Sequence, residues 1–267
     1  MTNSKLSTSA LPSLESKRLK HKLAYFFDTK ARSRTEVHEF AEGLLELGSV
    51  VVIGGLVRDL WLMGNRDFRS DVDFVIQPES VEQFERILVR MGGRRNRFGG
   101  FSLELRRWKV EVWPLERTWA AVEGHVNIAG LSDLTRATFF NWDAILYSLA
   151  ERTLTAESSY FDSLDGRYLE VNLRANPNPL GNAVRALRYA RRWKATLGPS
   201  LVDHVARQVH DHGWSTFVRV ERASFAEPYL DKVDGDAVTQ ALREWDEDET
   251  CIISLPLEEC EQGLLFK

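Results

Sequence analysis

Cysteine is nearly absent. The 267-residue chain has two, Cys251 and Cys260, both near its C-terminal end. They lack the paired spacing of a zinc site, and two thiols in so long a chain do not make a disulfide scaffold, so a reducing cytoplasm is the expected setting. No run approaches the roughly eighteen apolar residues of a membrane span, so no membrane partner is expected. The opening stretch MTNSKLSTSALPSLESKRLKHK has no apolar centre to act as a secretory signal, and residues 1–22 are expected to form a flexible arm. An excess of positive charge is missing too: the formal net charge is −4, so any polyanion must be held by a local basic patch. Internal repeats are not visible. What is present is ordinary globular usage, 43% hydrophobic, 28% charged and 10% aromatic, with chain enough for one large domain or two moderate ones.

Periodicity organises the first half. TEVHEFAEGLLEL (35–47) reads as a helix with Phe40, Leu44, Leu45 and Leu47 on one side and Gly48 ending it. VVI (51–53) is a short β-branched run typical of a buried strand. Gly54-Gly55 breaks it, and LVRDLWLM continues as a helix to Gly64. DVDFVI (71–76) alternates before ending in the core, ESVEQFERILVRM (79–91) is helical, and FSLELR (101–106) with KVEVWPL (109–115) reads as a hairpin. From about residue 137 the pattern predicts helices, in ATFFNWDAILYSLA, NAVRALRYARRW and LVDHVARQVHDH. Residues 221–262 carry thirteen acids against three basic residues and read as an acidic helical tail, with a protein partner as one expectation for it. A head at 23–150 and a helical remainder at 151–267 follow from the shift in composition.

Chemistry concentrates at Asp71-Val72-Asp73. Residues i and i+2 of a strand share a face, so both carboxylates point together while Val72 faces the core. Two like charges this close are costly unless a cation joins them. Mg²⁺ suits, being a hard ion held by one or two carboxylates and completed by water and phosphate oxygens. Glu111, between Val110 and Val112, is positioned to reach the same site across the sheet. Taken alone, the acid pair also fits an exposed strand edge. The preceding strand, Gly-Gly turn and helix tip the balance: glycines permit close backbone approach, and a helix start offers N–H groups and a positive dipole end to phosphate.

GGLVRDLWLMGNRDFRSDVDFVI (54–76) resembles the first signature of the DNA polymerase β-type nucleotidyltransferases, in particular the head of bacterial CCA-adding enzymes and poly(A) polymerases. Their pattern is GG-x-VRD-x-LLG followed by D-x-D, matched by Gly54, Gly55, Val57, Arg58, Asp59, Leu62, Gly64, Asp71 and Asp73. The loop after Gly64 is about three residues longer than usual, a tolerable surface insertion. Weaker likeness runs to about residue 194, in ATFFNWDAILYSL, in YFDSLDG (160–166, where the family has a turn) and in VRALRYARRW (184–193). The resemblance implies an α+β fold: a small mixed sheet with helices on one side, followed by a helical neck. It also implies Asp71 and Asp73 as catalytic residues holding two Mg²⁺ ions, which the strand reading extends to Glu111, and Gly54, Gly55, Arg58 and Asp59 lining the NTP. RNA is the acceptor it implies, with a tRNA 3′ end as one form of it.

The departures are specific. Ala137, Thr138 and Phe139 stand where the family has Arg, Arg and Asp, leaving Arg136 as a stand-in for nucleotide contact. The Glu-Asp-x-x-Arg pattern that reads C and A falls on Asn178, Pro179 and Asn182, so the template for CCA synthesis is not visible. Arg185, Arg188 and Arg192 share a helix face, with Arg191 and Lys194 adjacent; this basic stretch reads as an anion contact or as a solvated face. His204, His210, Asp211 and His212 suggest a metal or phosphohydrolase site that lacks further ligands. Trp108, Trp113 and Trp119 read as core, with base stacking open to one of them. Arg94, Arg95 and Arg97 form a basic loop between glycine pairs. Alternatives of the same fold and of another class stay open: a nucleotidyltransferase for a small-molecule or protein hydroxyl, and a catalytically silent nucleotide-binding module.

Overall fold

The structure, a computed structural model, describes residues 9–10, 13–28, 34–64, 68, 71–245 and 255–257. The chain divides into two compact units, residues 1–162 with 172–175, and residues 163–171 with 176–267. The first unit therefore runs past the expected boundary at 150.

The first unit is built on one mixed sheet. Its strands are β1 (Ser9–Ala10), β2 (Gly48–Ile53), β3 (Val72–Pro78), β4 (Arg94–Arg95), β5 (Phe101–Glu104), β6 (Lys109–Pro114), β7 (Ile145–Ser148) and β8 (Leu154–Ala156). Their order is β1-β8-β7-β2-β3-β6-β5-β4. Strands β3 and β6 run parallel and the other pairs antiparallel. The helices are α1 (Leu14–Asp28), α2 (Thr35–Leu45), α3 (Gly55–Leu62), α4 (Val81–Arg90) and α5 (Trp119–Val122); α6 (Tyr160–Asp165) straddles the division between the units.

Alternation along the strands sorts the two faces. Phe74 of β3, fully buried, meets Phe27 of α1 and Phe40 of α2. Phe27 also stacks on Tyr147 of β7, and Phe84 of α4 meets Phe101 of β5 edge-on. Burial of each such ring contributes about 2–3 kcal/mol, so this face anchors α1, α2 and α4. On the opposite face Val51, Val75 and Leu146 pack with Leu115 and with Leu134 of a short 3-10 stretch, Leu131–Arg136. That cover reaches only part of the sheet, and the rest of this face carries the charged residues described below.

Three expectations are corrected. Residues 14–22 are not a loose arm but the first part of α1, because Leu19 and Leu23, with Phe26 and Phe27, recur on one helix face and are buried. The stretch 137–150 is not a helix: a 3-10 turn at Asn141–Asp143 leads into β7, which pairs with β2 and β8. Short apolar runs carry no decisive period, and here pairing on both sides selects the strand. YFDSLDG forms α6 where a turn was expected.

The second unit holds α7 (Pro179–Trp193), α8 (Pro199–His212), α9 (Trp214–Ser224) and α10 (Gly235–Glu244), with the short parallel strands β9 (Tyr168–Leu169) and β10 (Thr196–Leu197). Asn178 caps α7 by accepting from the Gly181 amide at 3.3 Å, and proline at the first helical position suits the start. Glu221, fully buried in α9, pairs with Arg188 of α7 and accepts the amides of Tyr229 and Leu230. Cys251, Cys260 and residues 246–254 and 258–262 of the acidic C-terminal region lie outside the described residues. No helix among the described residues is long and apolar enough to cross a membrane.

His204 of α8 sits with a ring nitrogen 2.9 Å from the Pro179 carbonyl. Burial pushes its pKa down, and this hydrogen bond only partly opposes the shift. The unfolded chain therefore takes up a proton before the folded one, and stability is lost as pH falls from the ordinary histidine pKa of about 6.5 through the lower folded value. Urea unfolding at about pH 7.5 and about pH 5 is expected to show this loss, and His204→Gln to reduce it. An unchanged pH slope in that variant would count against the assignment.

Candidate active site

Strand β2 ends at Ile53, and Gly54 turns the chain with φ +65° and ψ −116°, a conformation closed to most L side chains. Its amide donates to the Ile145 carbonyl at 3.3 Å, and its carbonyl accepts the Arg58 amide at 3.0 Å, so it is at once the strand end and the helix cap. A Cβ at Gly54 would stand 3.5 Å from that of Asp143. No side-chain hydrogen bond from Gly54 caps α3, and its first turn contains no acid; the acid nearest the cap is Asp143.

Below the turn lies a buried ionic group. Arg58 and Asp59 are only 4% and 5% exposed. Arg58 Nε donates to Asp59 Oδ1 at 2.7 Å, and its Nη1 pairs with Asp143 of the 3-10 turn. Tyr160 is buried beside them, donating its hydroxyl to the Trp142 carbonyl at 2.9 Å, and burial pushes its pKa well above the ordinary value. One guanidinium between two carboxylates ties the 3-10 turn and β7 to the Gly-Gly turn. Arg58 and Asp59, expected to line the nucleotide, lie buried in α3 beneath the Gly-Gly turn.

The carboxylates come next in the same sheet. Val52 pairs with Phe74, so continuing the antiparallel register sets Ile53 beside Asp73 and Gly54 beside Val72. In the parallel pair on the other side, Val72 lies opposite Val110 and Asp73 opposite Glu111. Asp71, Asp73, Lys109 and Glu111 therefore form a grid on the face that also carries Val75 and Val51. Where the 3-10 stretch covers this face, Val75 is 3% exposed; at the open end the Asp71 and Lys109 side chains are 41% and 43% exposed.

Lys109 Nζ donates to Asp71 Oδ2 at 2.6 Å and to Glu111 Oε1 at 3.1 Å. Partial burial opposes its charge, but the hydrogen bonds and field of the two carboxylates prevail and raise its pKa to about 12. The lysine is charged throughout the physiological range. Ser102 Oγ donates to Glu111 Oε1 at 3.2 Å, and Asn96 Nδ2 to its Oε2 at 3.4 Å.

The three carboxylates expected to hold metal are thus brought to one face but not to one point. Among the described residues no three Asp, Glu, His or Cys side chains converge to hold a metal ion, and the α8 histidines are no exception. Glu111, expected to complete a three-carboxylate set, here accepts from Lys109, Ser102 and Asn96. Asp71 and Asp73 still offer hard oxygen donors on a partly open face, and an ammonium already lies between two acids there. That donor set fits a divalent cation.

Arg136, at the end of the 3-10 stretch in the first unit, is exposed and reaches Asp133 at 2.5 Å and the Asn127 carbonyl at 3.3 Å. In the second unit Arg185 lies 3.1 Å from the Tyr189 hydroxyl. Arg188 serves that unit's interior, pairing with Glu221 and stacking 4.0 Å from the Phe225 ring centre. Trp108 stacks on Phe68 and Trp113 packs in the core cluster, as the core reading had it. Arg95 pairs with Glu85 at 2.5 Å. Asp143 and Lys109 escaped the sequence reading. Each left a signal: a lone acid within the apolar run FFNWDAIL, and a lysine two positions before Glu111 on a strand.

No protein-family model matches the chain, and no curated protein is similar to it in sequence. Solved structures are similar in fold. One is a tRNA nucleotidyltransferase complexed with a primer tRNA and an incoming ATP analogue, 20% identical with a TM-score of 0.48, over 72% of this chain and 56% of that one. A tRNA-processing enzyme with CTP is 23% identical with a TM-score of 0.46, over 68% and 50%. The Thermotoga maritima CCA-adding enzyme complexed with tRNA is 17% identical with a TM-score of 0.47, over 73% and 49%. The chain spans about half the length of the structures it matches. These three likenesses are of fold alone.

Proposed function

We propose that the chain is a nucleotidyltransferase that moves a nucleoside monophosphate from an NTP to a hydroxyl of RNA, releasing pyrophosphate. The observation that carries this reading is the register that sets Asp71 and Asp73 beside the end of β2, where Gly54 and Gly55 turn into α3. A phosphate cradle and a pair of cation ligands are adjacent parts of one sheet.

The residues divide the work. Gly54 and Gly55 let phosphate oxygens approach the backbone, and the start of α3 favours their charge. Arg58 and Asp59, with Asp143, fix that turn. Asp71 and Asp73 would hold Mg²⁺, which when bound makes the attacking hydroxyl more acidic and offsets charge on the departing pyrophosphate. Arg136 and Arg185 are the basic groups assigned to anion contact, and Arg188 to holding the helix that carries Arg185. CCA synthesis is not proposed: Asn178 spends its side chain on capping α7, and Asn182 is buried.

The net charge of −4 favours a second reading, a small-molecule or protein acceptor. Incubation with each labelled NTP and Mg²⁺, with and without total cellular RNA, separates the two. Label in an RNA band is the expected result, and label in a small product or a protein band supports the second reading. Bound NTP with no label transferred to anything would refute the enzymatic reading and leave a silent nucleotide-binding module.

A further inference from the structure

Lys109 has a place in the site that the carboxylate motif does not account for. Its ammonium lies between Asp71 and Glu111, the position a shared cation would take between two acids. Glu111 is held for it: Oε1 also accepts from Ser102 Oγ, and Oε2 accepts from Asn96 Nδ2. Asn96 is itself oriented, since its Oδ1 accepts the amides of Phe98 and Gly100, both at 3.0 Å. With the carbonyl oxygen occupied by backbone donors, the amide nitrogen turns toward Glu111. For Glu111 to bind a metal ion it would have to give up these contacts.

Charge leads to the same assignment. The Lys109 ammonium already offsets charge on Asp71 and Glu111, the service a second ion would perform there. A second divalent ion at Glu111 would crowd the Lys109 ammonium, a repulsion that partial burial strengthens.

We infer that Lys109 is a resident cation that takes the place of one of two metal ions, so that the site holds a single divalent ion on Asp71 and Asp73, with Glu111 as the positioning residue that seats the lysine. The inference rests on the nucleotidyltransferase reading for the ion's purpose, but its test counts ions and needs no turnover. In the reaction Lys109 supplies fixed positive charge near the phosphates.

The test is a Mn²⁺ titration followed by electron paramagnetic resonance, on the full chain in excess over a non-hydrolysable NTP analogue. Wild type is expected to bind about one Mn²⁺ per nucleotide, Lys109→Arg about one, and Lys109→Met about two. Two ions in wild type, or one in a folded Lys109→Met variant, would overturn the inference and leave nucleotide transfer untouched. No bound ion in wild type, with the analogue still bound, would overturn both this inference and the metal reading. Thermal unfolding confirms that each variant is folded; should Lys109→Met fail to fold, the wild-type and Lys109→Arg counts decide.

Discussion

Asp73→Ala is expected to lower nucleotide transfer by about three orders of magnitude or more while leaving the fold intact. The size follows from removing a ligand of the ion that neutralises the phosphates, where losses of about 10³-fold are common for transition-state charge stabilisation. The fold should survive because Asp73 belongs to a partly exposed cluster in which Asp71 and Glu111 carry the same charge, so its loss relieves repulsion. Asp71→Ala should behave alike, with Lys109 retaining Glu111 as its partner. Single-turnover transfer from labelled NTP measures the first effect and thermal unfolding the second. Near-normal transfer by either variant would show that the carboxylate pair is not the reacting centre.

Asp143→Ala is expected to be the most damaging single change to stability, at about 3–5 kcal/mol, the usual cost of leaving a buried charge without its partner. Arg58 is almost wholly buried, and Asp143 and Asp59 balance its guanidinium. The mirror change, Arg58→Met, would strand two buried acids and should cost a similar amount. Urea unfolding measures both. The Gly54 turn rests on this group through the Ile145 carbonyl and the Arg58 amide, so transfer should fall in any folded fraction as well. A loss below about 1 kcal/mol in both variants would mean that the group is not a structural pin.

The elements around the site were legible because each had its own period. VVI before Gly-Gly, the alternation of DVDFVI, and the hairpin spacing of 101–115 all formed as the pattern required. The stretch 137–150 was not, because its apolar and aromatic residues, interrupted only by Thr138, Asn141, Asp143 and Ser148, satisfy either period and only the pairing partners decide. Leu19, Leu23, Phe26 and Phe27 do carry a helical period, but the polar residues before and among them resemble a tail when read alone. The acid pair was visible in the sequence; its neighbours were not. Opposing Asp73 to Glu111 and seating Lys109 between acids needs the register of two strands thirty-eight residues apart at Asp71 and Lys109. The same holds for Asp143, eighty-five residues from its partner Arg58. Long-range pairing also escaped the sequence: Arg58 and Arg188, read as anion contacts, pair with buried acids that no local pattern connects to them.

The central claim is transfer of a nucleotide, and the fate of the two ends of the triphosphate tests it most directly. Parallel reactions with NTP labelled at the α- or the γ-phosphorus, each with Mg²⁺ and cellular RNA, should place α-label in RNA and γ-label in free pyrophosphate. The α-label in RNA should be lost in Asp73→Ala. Appearance of γ-label on an acceptor or as inorganic phosphate, with α-label left in a free nucleotide, would contradict the account.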